Sequence, residues 1–98
     1  MVTFIGLIKS LDQRSLTDYL SKVGQTVELF GGTVAARGKT LQPIWNELNC
    51  ELFDSYVEVS FDTVEKANYW VHSPQYQELL PIRNKAMQVT FFGIEKSP

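Results

Sequence analysis

The arrangement of the second half of the chain is decided by residues 70–83, which read WVHSPQYQELLPIR. Ser73 followed by Pro74 is typical of an N-cap residue with proline in the first helical position. We therefore predict that one helix ends by His72 and that a new helix begins at once and runs toward the last strand. Pro81 has no backbone N–H to donate, so it should kink or split this new helix.

Earlier in the chain, apolar side chains recur with helical spacing and predict a long amphipathic helix. They are Leu16, Leu20, Val23, Val27 and Phe30. Ser10 and Gln13 have the spacing of a capping box at the start of this helix, and the pair Gly31 and Gly32 is typical of a helix end. Gly24 lies inside the helix, where glycine costs about 1 kcal/mol relative to alanine. It predicts either a bend or, as the preferred interpretation, close packing of the helix backbone on a sheet.

Four segments have the composition or the alternation of β-strands. They are residues 2–8, 33–38, 56–61 and 88–95. Between the second and third strands, residues 39–54 show no clean period and predict a wide connection. After the third strand, Asp62 and Glu65 have the capping-box spacing that predicts the start of a second helix. Residues 96–98 are predicted to form a frayed tail.

The predicted order of elements is strand, helix, strand, strand, helix, strand, which is the ferredoxin-like arrangement of the α+β class. In that arrangement the helices cover one face of an antiparallel sheet and leave the other face open. A chain of 98 residues is long enough for one core, so residues 1–98 are predicted to form one domain. Because an open apolar face usually marks an interface, we expect a homodimer that pairs the open sheet faces of two copies.

Composition and charge argue against several classes of partner and site. The chain has 9 Lys and Arg against 11 Asp and Glu, with the signs interspersed, so no basic stripe is available for nucleic acid. No apolar run is long enough for a membrane span and the start has no signal-peptide pattern, which predicts a cytoplasmic protein without membrane partners. Cys50 is the one cysteine, so neither an intrachain disulfide nor a Cys-rich metal site is expected.

A family resemblance is carried by residues 30–38, which read FGGTVAARG, together with residues 70–83. The shared positions are Gly31, Gly32, Arg37, Gly38, Trp70, Ser73, Pro74, Tyr76, Gln77 and Arg83. In these positions the chain resembles the domain of unknown function family 1330, and the resemblance implies a dimeric α+β barrel. The chain departs from the family pattern at Phe30, Val71 and His72, where a histidine, an aromatic residue and an acidic residue are usual.

Two arginines are the candidate anchors for a ligand. Arg37 follows small residues on a predicted strand and would pair with a carboxylate or phosphate, and Arg83 would reach the same cleft from the last helix. For Arg37 the alternatives are an ion pair with Glu58 across the hairpin or a position on the rim, and for Arg83 the alternative is a surface salt bridge. The family resemblance adds weight to the ligand role for Arg37, and the alternatives stay open.

Trp70 and Tyr76 are the candidate walls of a pocket, because each carries a polar tip on a large apolar body, although core packing explains them equally well. Tyr19, Trp45 and Tyr69 are weaker candidates of the same kind, since aromatic residues at helical or loop spacing are more often packing residues. His72 is the one side chain that titrates near neutrality without help. It is a weak candidate for proton transfer, and a structural role at the helix end is the preferred interpretation. Since the chain has no second histidine, no metal site is predicted.

Three hypotheses of function follow. In the first, a homodimer binds a small aromatic or anionic molecule between helices and sheet. Relatives in the wider superfamily include monooxygenases that need no cofactor, lactone isomerases and haem proteins, so the resemblance also implies an oxidation or isomerisation without a cofactor. In the second, the chain is a non-catalytic dimeric module with core aromatics and structural arginines. The third is haem binding, for which His72 would be the axial ligand.

Overall fold

The structure, a computed structural model, describes residues 1–95 and has the predicted order of elements. The elements are β1 (Val2–Ser10), α1 (Gln13–Leu29), β2 (Thr33–Lys39), β3 (Ser55–Phe61), α2 (Val64–His72), α3 (Pro74–Gln77), α4 (Leu80–Ala86) and β4 (Met87–Ile94). The predicted ferredoxin-like α+β class is confirmed. The tail predicted for residues 96–98 lies outside the described residues.

The four strands form one antiparallel sheet in the order β2-β3-β1-β4. β1 is central because it pairs with both β3 and β4, which explains its apolar composition. The register between β2 and β3 shifts between Val34 and Ala36, so a bulge reverses the alternation of side chains along β2. As a result Arg37 lies opposite Val57, on the face of the sheet that carries the helices.

The start of α1 differs from the prediction. Ser10 is still part of β1, where its amide and hydroxyl donate hydrogen bonds of 2.8 Å and 2.7 Å to the carboxylate of Asp54. The N-cap is instead Asp12, whose carboxylate accepts a hydrogen bond of 2.9 Å from the amide of Ser15. The capping box of Ser10 and Gln13 was therefore wrong, because pairing in the sheet keeps Ser10 in the strand.

The predicted end of α1 is confirmed, but the interpretation of Gly24 is wrong. Gly31 has a φ of 76°, the left-handed conformation that favours glycine, and the amide of Gly32 donates back to the carbonyl of Val27 at 3.0 Å. A Cβ built on Gly24 meets no atom of residues 1–95 within 4 Å outside the helix itself. The helix backbone at Gly24 is thus not packed closely on the sheet.

The Ser-Pro step behaves as predicted. α2 ends at His72, and Ser73 caps α3 by accepting a hydrogen bond of 3.1 Å from the amide of Tyr76. The chain then divides into α3 and α4, with Pro81 in the first turn of α4, where its missing donor costs nothing. At the start of α2, however, the cap is Thr63 and not the predicted Asp62.

The core lies between the helices and one face of the sheet. Phe61 and Val27 are its largest fully buried side chains, and aromatic contacts link Phe61 to Phe4 and to Trp70. The side chains on the other face of β1 alternate with these and take no part in the core cluster. We call this second face the open face.

The connection between β2 and β3 covers residues 40–54 and contains no strand or helix. The predicted wide connection is thus confirmed, and each neighbouring strand extends only one residue beyond its predicted bound on this side.

Candidate functional site

A cavity of about 410 Å³ lies between the helices and the helix-covered face of the sheet. Its walls are mainly the apolar side chains of α1, β1, β3 and β4, including Leu16, Leu20, Val57, Val89 and Phe91. A volume in this range is typical of sites for small organic molecules. The sheet and α1 are therefore far enough apart to leave space inside the chain, even though most of the residues around that space belong to the core.

The polar end of the cavity is formed by two tyrosines and an arginine from three different helices. The hydroxyl oxygens of Tyr19 and Tyr76 lie 3.0 Å apart, at hydrogen-bonding distance, and both rings are buried. Arg83 donates from Nη1 to the hydroxyl of Tyr76 at 3.2 Å. Two phenolic protons are present and one of them serves the bond between the tyrosines. The other has no acceptor among residues 1–95, so it is available to a bound molecule.

Arg83 holds a positive charge at this end without a carboxylate beside it. Its Nη2 donates to Asn84 at a long 3.4 Å, and its Nε is buried with no hydrogen-bond partner in the described part of the chain. A buried donor without a partner costs free energy unless a ligand or water satisfies it. The predicted surface salt bridge of Arg83 is not found among the ion pairs of residues 1–95.

Arg37 reaches the same cavity from β2. It lines the cavity wall and is itself exposed, which places it at the mouth of the cavity. Glu58 is paired with Ala36 rather than with Arg37, and no ion pair joins it to Arg37 within the described range. The charge of Arg37 is therefore also free of a carboxylate partner in this range.

The Ser73-Pro74 step positions Trp70 and Tyr76, the aromatic residues that line one side of the cavity. The hydroxyl of Ser73 donates to the carbonyl of Trp70 at 2.7 Å while it caps the helix of Tyr76, so one side chain ties the two aromatics together. Their ring centroids are 4.4 Å apart. The indole N–H of Trp70 donates to Thr26 at 3.0 Å, so Trp70 offers the cavity its face and not its donor.

Burial raises the pKa of the Tyr19 hydroxyl, and the neighbouring Tyr76 adds to that increase. The charges of Arg83 and Arg37 oppose the shift but do not cancel it. Tyr19 thus stays a neutral phenol at physiological pH, which suits it to hydrogen bonding and not to action as a phenolate base.

His72 lies apart from the cavity. It is exposed at the end of α2, where its Nδ1 is 2.8 Å from the carbonyl oxygen of Asn68. It does not line the cavity, so the structure brings together Arg37, Trp70, Tyr76 and Arg83 but not His72. The sole histidine is also not available there as an axial haem ligand.

Of the weaker aromatic candidates, Trp45 and Tyr69 are exposed and do not line the cavity. The sequence ranked Tyr19 no higher than these two, although Tyr19 does line it. It lies on the same helix face as Leu16, Leu20 and Val23, and this face lines the cavity. A phenol at the centre of an otherwise apolar helix stripe needs a hydrogen-bond partner once buried. That requirement was the signal available in the sequence.

Comparison with known proteins assigns this chain to a family. A family model described as Domain of unknown function (DUF1330) matches residues 3–97, almost the whole chain. No curated protein matches the chain significantly. Among residues 1–95, no group of three or more His, Cys, Asp or Glu side chains is arranged to hold a metal ion. No helix in this range is long and apolar enough to cross a bilayer.

Several solved structures share the fold at low sequence identity. A protein of unknown function from Rhodopseudomonas palustris, RPA0582, has a TM-score of 0.82 and 15% identity, with 99% of this chain and 82% of that chain covered. SnoaB, described as a cofactor-independent oxygenase from Streptomyces nogalater, has a TM-score of 0.69 and 8% identity, covering 99% and 93%. A protein from Bacteroides fragilis, described as dimeric, of unknown function and ferredoxin-like, has a TM-score of 0.59 and 13% identity, covering 97% and 95%.

Proposed function

The chain belongs to the DUF1330 family, and we propose that it binds a small organic anion with an apolar, preferably aromatic, body in the cavity between helices and sheet. The apolar walls would hold the body of this molecule. Its anionic group would lie between Arg37 at the mouth and Arg83 at the polar end, with a phenolic proton of the tyrosine pair as a further donor.

The observation that carries this proposal is the charge balance of the cavity. Two guanidinium groups line it, while no aspartate, glutamate or histidine among the described residues does so. Guanidinium groups beside apolar walls attract a carboxylate or phosphate strongly, because the hydrogen bonds are charge-assisted and poorly screened. An uncharged, purely apolar ligand would leave the buried Nε of Arg83 without a partner.

The chemistry that this site could support is stabilisation of negative charge on an enolate. Such an enolate could form in an isomerisation, or in an oxidation in which dioxygen is the oxidant and no cofactor is needed. The neutral phenol and Arg83 would donate to the developing oxyanion. The fold of SnoaB, a cofactor-independent oxygenase, is consistent with that extension. The cavity offers no carboxylate or imidazole base among residues 1–95, and this favours the alternative of a binding module without catalysis.

We also propose that the chain forms a homodimer through its open sheet face. Ile5 and Leu7 lie on that face outside the core cluster, and Phe92 is 43% exposed there. The similar fold from Bacteroides fragilis is described as dimeric. The cytoplasmic location, the single-domain organisation and the lack of a nucleic-acid partner stay predictions from the sequence.

The test of ligand binding uses a matched pair of probes, 2-naphthoate and the neutral 2-naphthalenemethanol, titrated by isothermal calorimetry. We expect naphthoate to bind at least about tenfold more tightly, which corresponds to ~1.4 kcal/mol. Arg37→Ala should weaken naphthoate binding by at least about 1 kcal/mol because a charge-assisted bond is lost. Arg14→Ala is the matched control, since Arg14 is exposed on α1 and does not line the cavity.

Three results would count against the proposal. Equal affinity for the two probes would remove the anionic requirement, and unchanged affinity of the Arg37 variant would remove that residue as the anchor. Native mass spectrometry of gently purified protein provides a further check, because a dimer that carries a small anion would identify its chemical class. A dimer without an adduct, combined with no naphthoate binding at millimolar concentration, would favour a structural module.

A further inference from the structure

The connection between β2 and β3, which we call the arm (residues 40–54), exposes an unusual amount of apolar surface. Five of its large side chains are between 69% and 90% exposed. They are Leu41, Ile44, Trp45, Leu48 and Leu52. Scattered apolar side chains are common on protein surfaces, but a concentration of this kind marks a surface that contacts another molecule.

The arm is held in place by its own hydrogen bonds. At its base the amide of Thr40 donates to the carbonyl of Asp54 at 3.0 Å, and the amide of Asp54 donates to the carbonyl of Ile8 at 2.8 Å. Near its tip the side chain of Asn46 exchanges two hydrogen bonds with the backbone of Cys50, at 2.9 Å and 3.0 Å. The base and the tip of the arm are therefore each fixed by hydrogen bonds, which lowers the entropy cost of docking.

The arm adjoins the open face of the sheet. Glu51 of the arm pairs with Lys9 at 2.6 Å. Lys9 alternates along β1 with Ile8, which belongs to the core, so it lies on the open face together with Ile5 and Leu7. The ion pair thus places the arm next to the open face of the sheet.

The size of this surface fits a second copy of the chain. Five side chains exposed to this extent present on the order of 500 Å² of apolar area. A stable interface of standard size buries about 800 Å² on each partner, so the arm supplies more than half of that area and the open face can supply the rest. An isologous contact would use both arms, because each copy contributes the same patch.

The charge of the arm argues against a membrane or nucleic acid as the occupant. Residues 40–54 contain the acids Glu47, Glu51 and Asp54 and no lysine or arginine. Segments that bind anionic lipid surfaces or phosphate backbones carry basic residues beside their apolar ones. A protein surface with exposed apolar centres, such as the open face itself, is the complementary partner.

We propose that the arm of each copy packs across the open sheet face of a second copy, so that the arms clasp the dimer. This inference rests on the dimer of the proposed function and adds to it the element that closes the interface. Trp45 becomes buried in the dimer, and the affinity of the two copies depends on the arm more than on exposed apolar residues elsewhere.

The test combines sedimentation velocity with the fluorescence of Trp45. The chain has two tryptophans, and the other, Trp70, is buried in the core, so subtracting the spectrum of Trp45→Phe isolates the emission of Trp45. We expect blue-shifted, quencher-protected Trp45 emission in the dimer and a red shift as dilution dissociates it. Leu48→Glu should weaken dimerisation by at least about tenfold. Leu29→Glu, at a residue 66% exposed on α1, should change it less than about twofold.

The outcomes separate this proposal from the dimer itself. A dimer in which Trp45 is quenched like free tryptophan, or in which Leu48→Glu dissociates no more readily than the natural chain, would overturn the clasp and leave the dimer standing. A monomer at tens of micromolar would overturn both. Trp45 that is protected in a monomer would place the arm on its own chain and would also refute the clasp.

Discussion

Replacement by alanine should destabilise the protein at Gly32 and stabilise it at Gly24. A Cβ at Gly32 would lie 2.6 Å from Cε1 of Phe61 and 2.7 Å from Cγ1 of Val27, distances that real Cβ atoms do not show. Both neighbours are fully buried side chains that cannot move into solvent. A Cβ at Gly24 would meet nothing within 4 Å outside its own helix.

The magnitudes follow from these surroundings. Gly32→Ala forces one extra carbon into a closed part of the core, and such overpacking costs about 1–3 kcal/mol. Gly24→Ala replaces a mid-helix glycine in open space and should stabilise the chain by ~0.8–1 kcal/mol through helix propensity. For a domain of this size each kcal/mol moves the melting temperature by roughly 4–8 °C, so the two variants should differ by at least about 7 °C.

The assay is thermal and urea unfolding followed by far-UV circular dichroism. All variants are measured at one protein concentration, because dimerisation would make the melting temperature depend on it. Two results would refute the reasoning: a Gly32→Ala variant as stable as the natural chain, or a Gly24→Ala variant that loses stability. The second result would indicate that another copy packs on Gly24, where the single chain leaves space.

Two further predictions concern the polar groups. Tyr76→Phe should lower the free energy of unfolding by about 1–3 kcal/mol because Arg83 loses its acceptor, whereas Tyr19→Phe should lower it by ~0.5–1.5 kcal/mol. Both values are measured by denaturant unfolding. The reverse order of the two variants would contradict the assigned hydrogen bonds. Hydrogen bonds from Ser10, and then from Ser55, lower the pKa of the Asp54 carboxyl below its usual value of 3.8. The stabilisation is therefore present above pH ~3.8 and lost as the pH falls through the lower folded value. The melting temperature of the natural chain should exceed that of Asp54→Asn at pH 5–7 and approach it below pH ~3.8, and a constant difference down to pH 2 would exclude this role.

The site was only partly predictable from the sequence. Arg37, Trp70, Tyr76 and Arg83 were identified from residue type and family resemblance, and they line one cavity. Tyr19 was only a weak candidate, because the sequence indicates that a buried phenol needs a hydrogen-bond partner but not where that partner lies. That partner lies 57 positions away in the chain, and only the fold brings the two together.

The starts of the helices were also only partly predictable from the sequence. Capping patterns placed the starts of α1 and α2 on Ser10 and Asp62, whereas the caps are Asp12 and Thr63. Several adjacent polar residues can each cap a helix, and the fold decides which of them does so. Strand pairing keeps Ser10 in β1, whereas the carboxylate of Asp62 accepts a hydrogen bond from Lys66. The bulge in β2, which turns Arg37 toward the helices, is likewise a product of sheet register.

What the sequence by itself determined is the set of local elements, their order and hence the ferredoxin-like class, because apolar periodicity and the Ser-Pro step depend on neighbours in the chain. Only the tertiary structure decided that a cavity remains between α1 and the sheet and that its arginines lack carboxylate partners among residues 1–95. It also decided that the tip of the arm is closed by hydrogen bonds between Asn46 and Cys50 while its apolar side chains are exposed. These properties depend on distances between residues far apart in the chain, and such distances are set by packing.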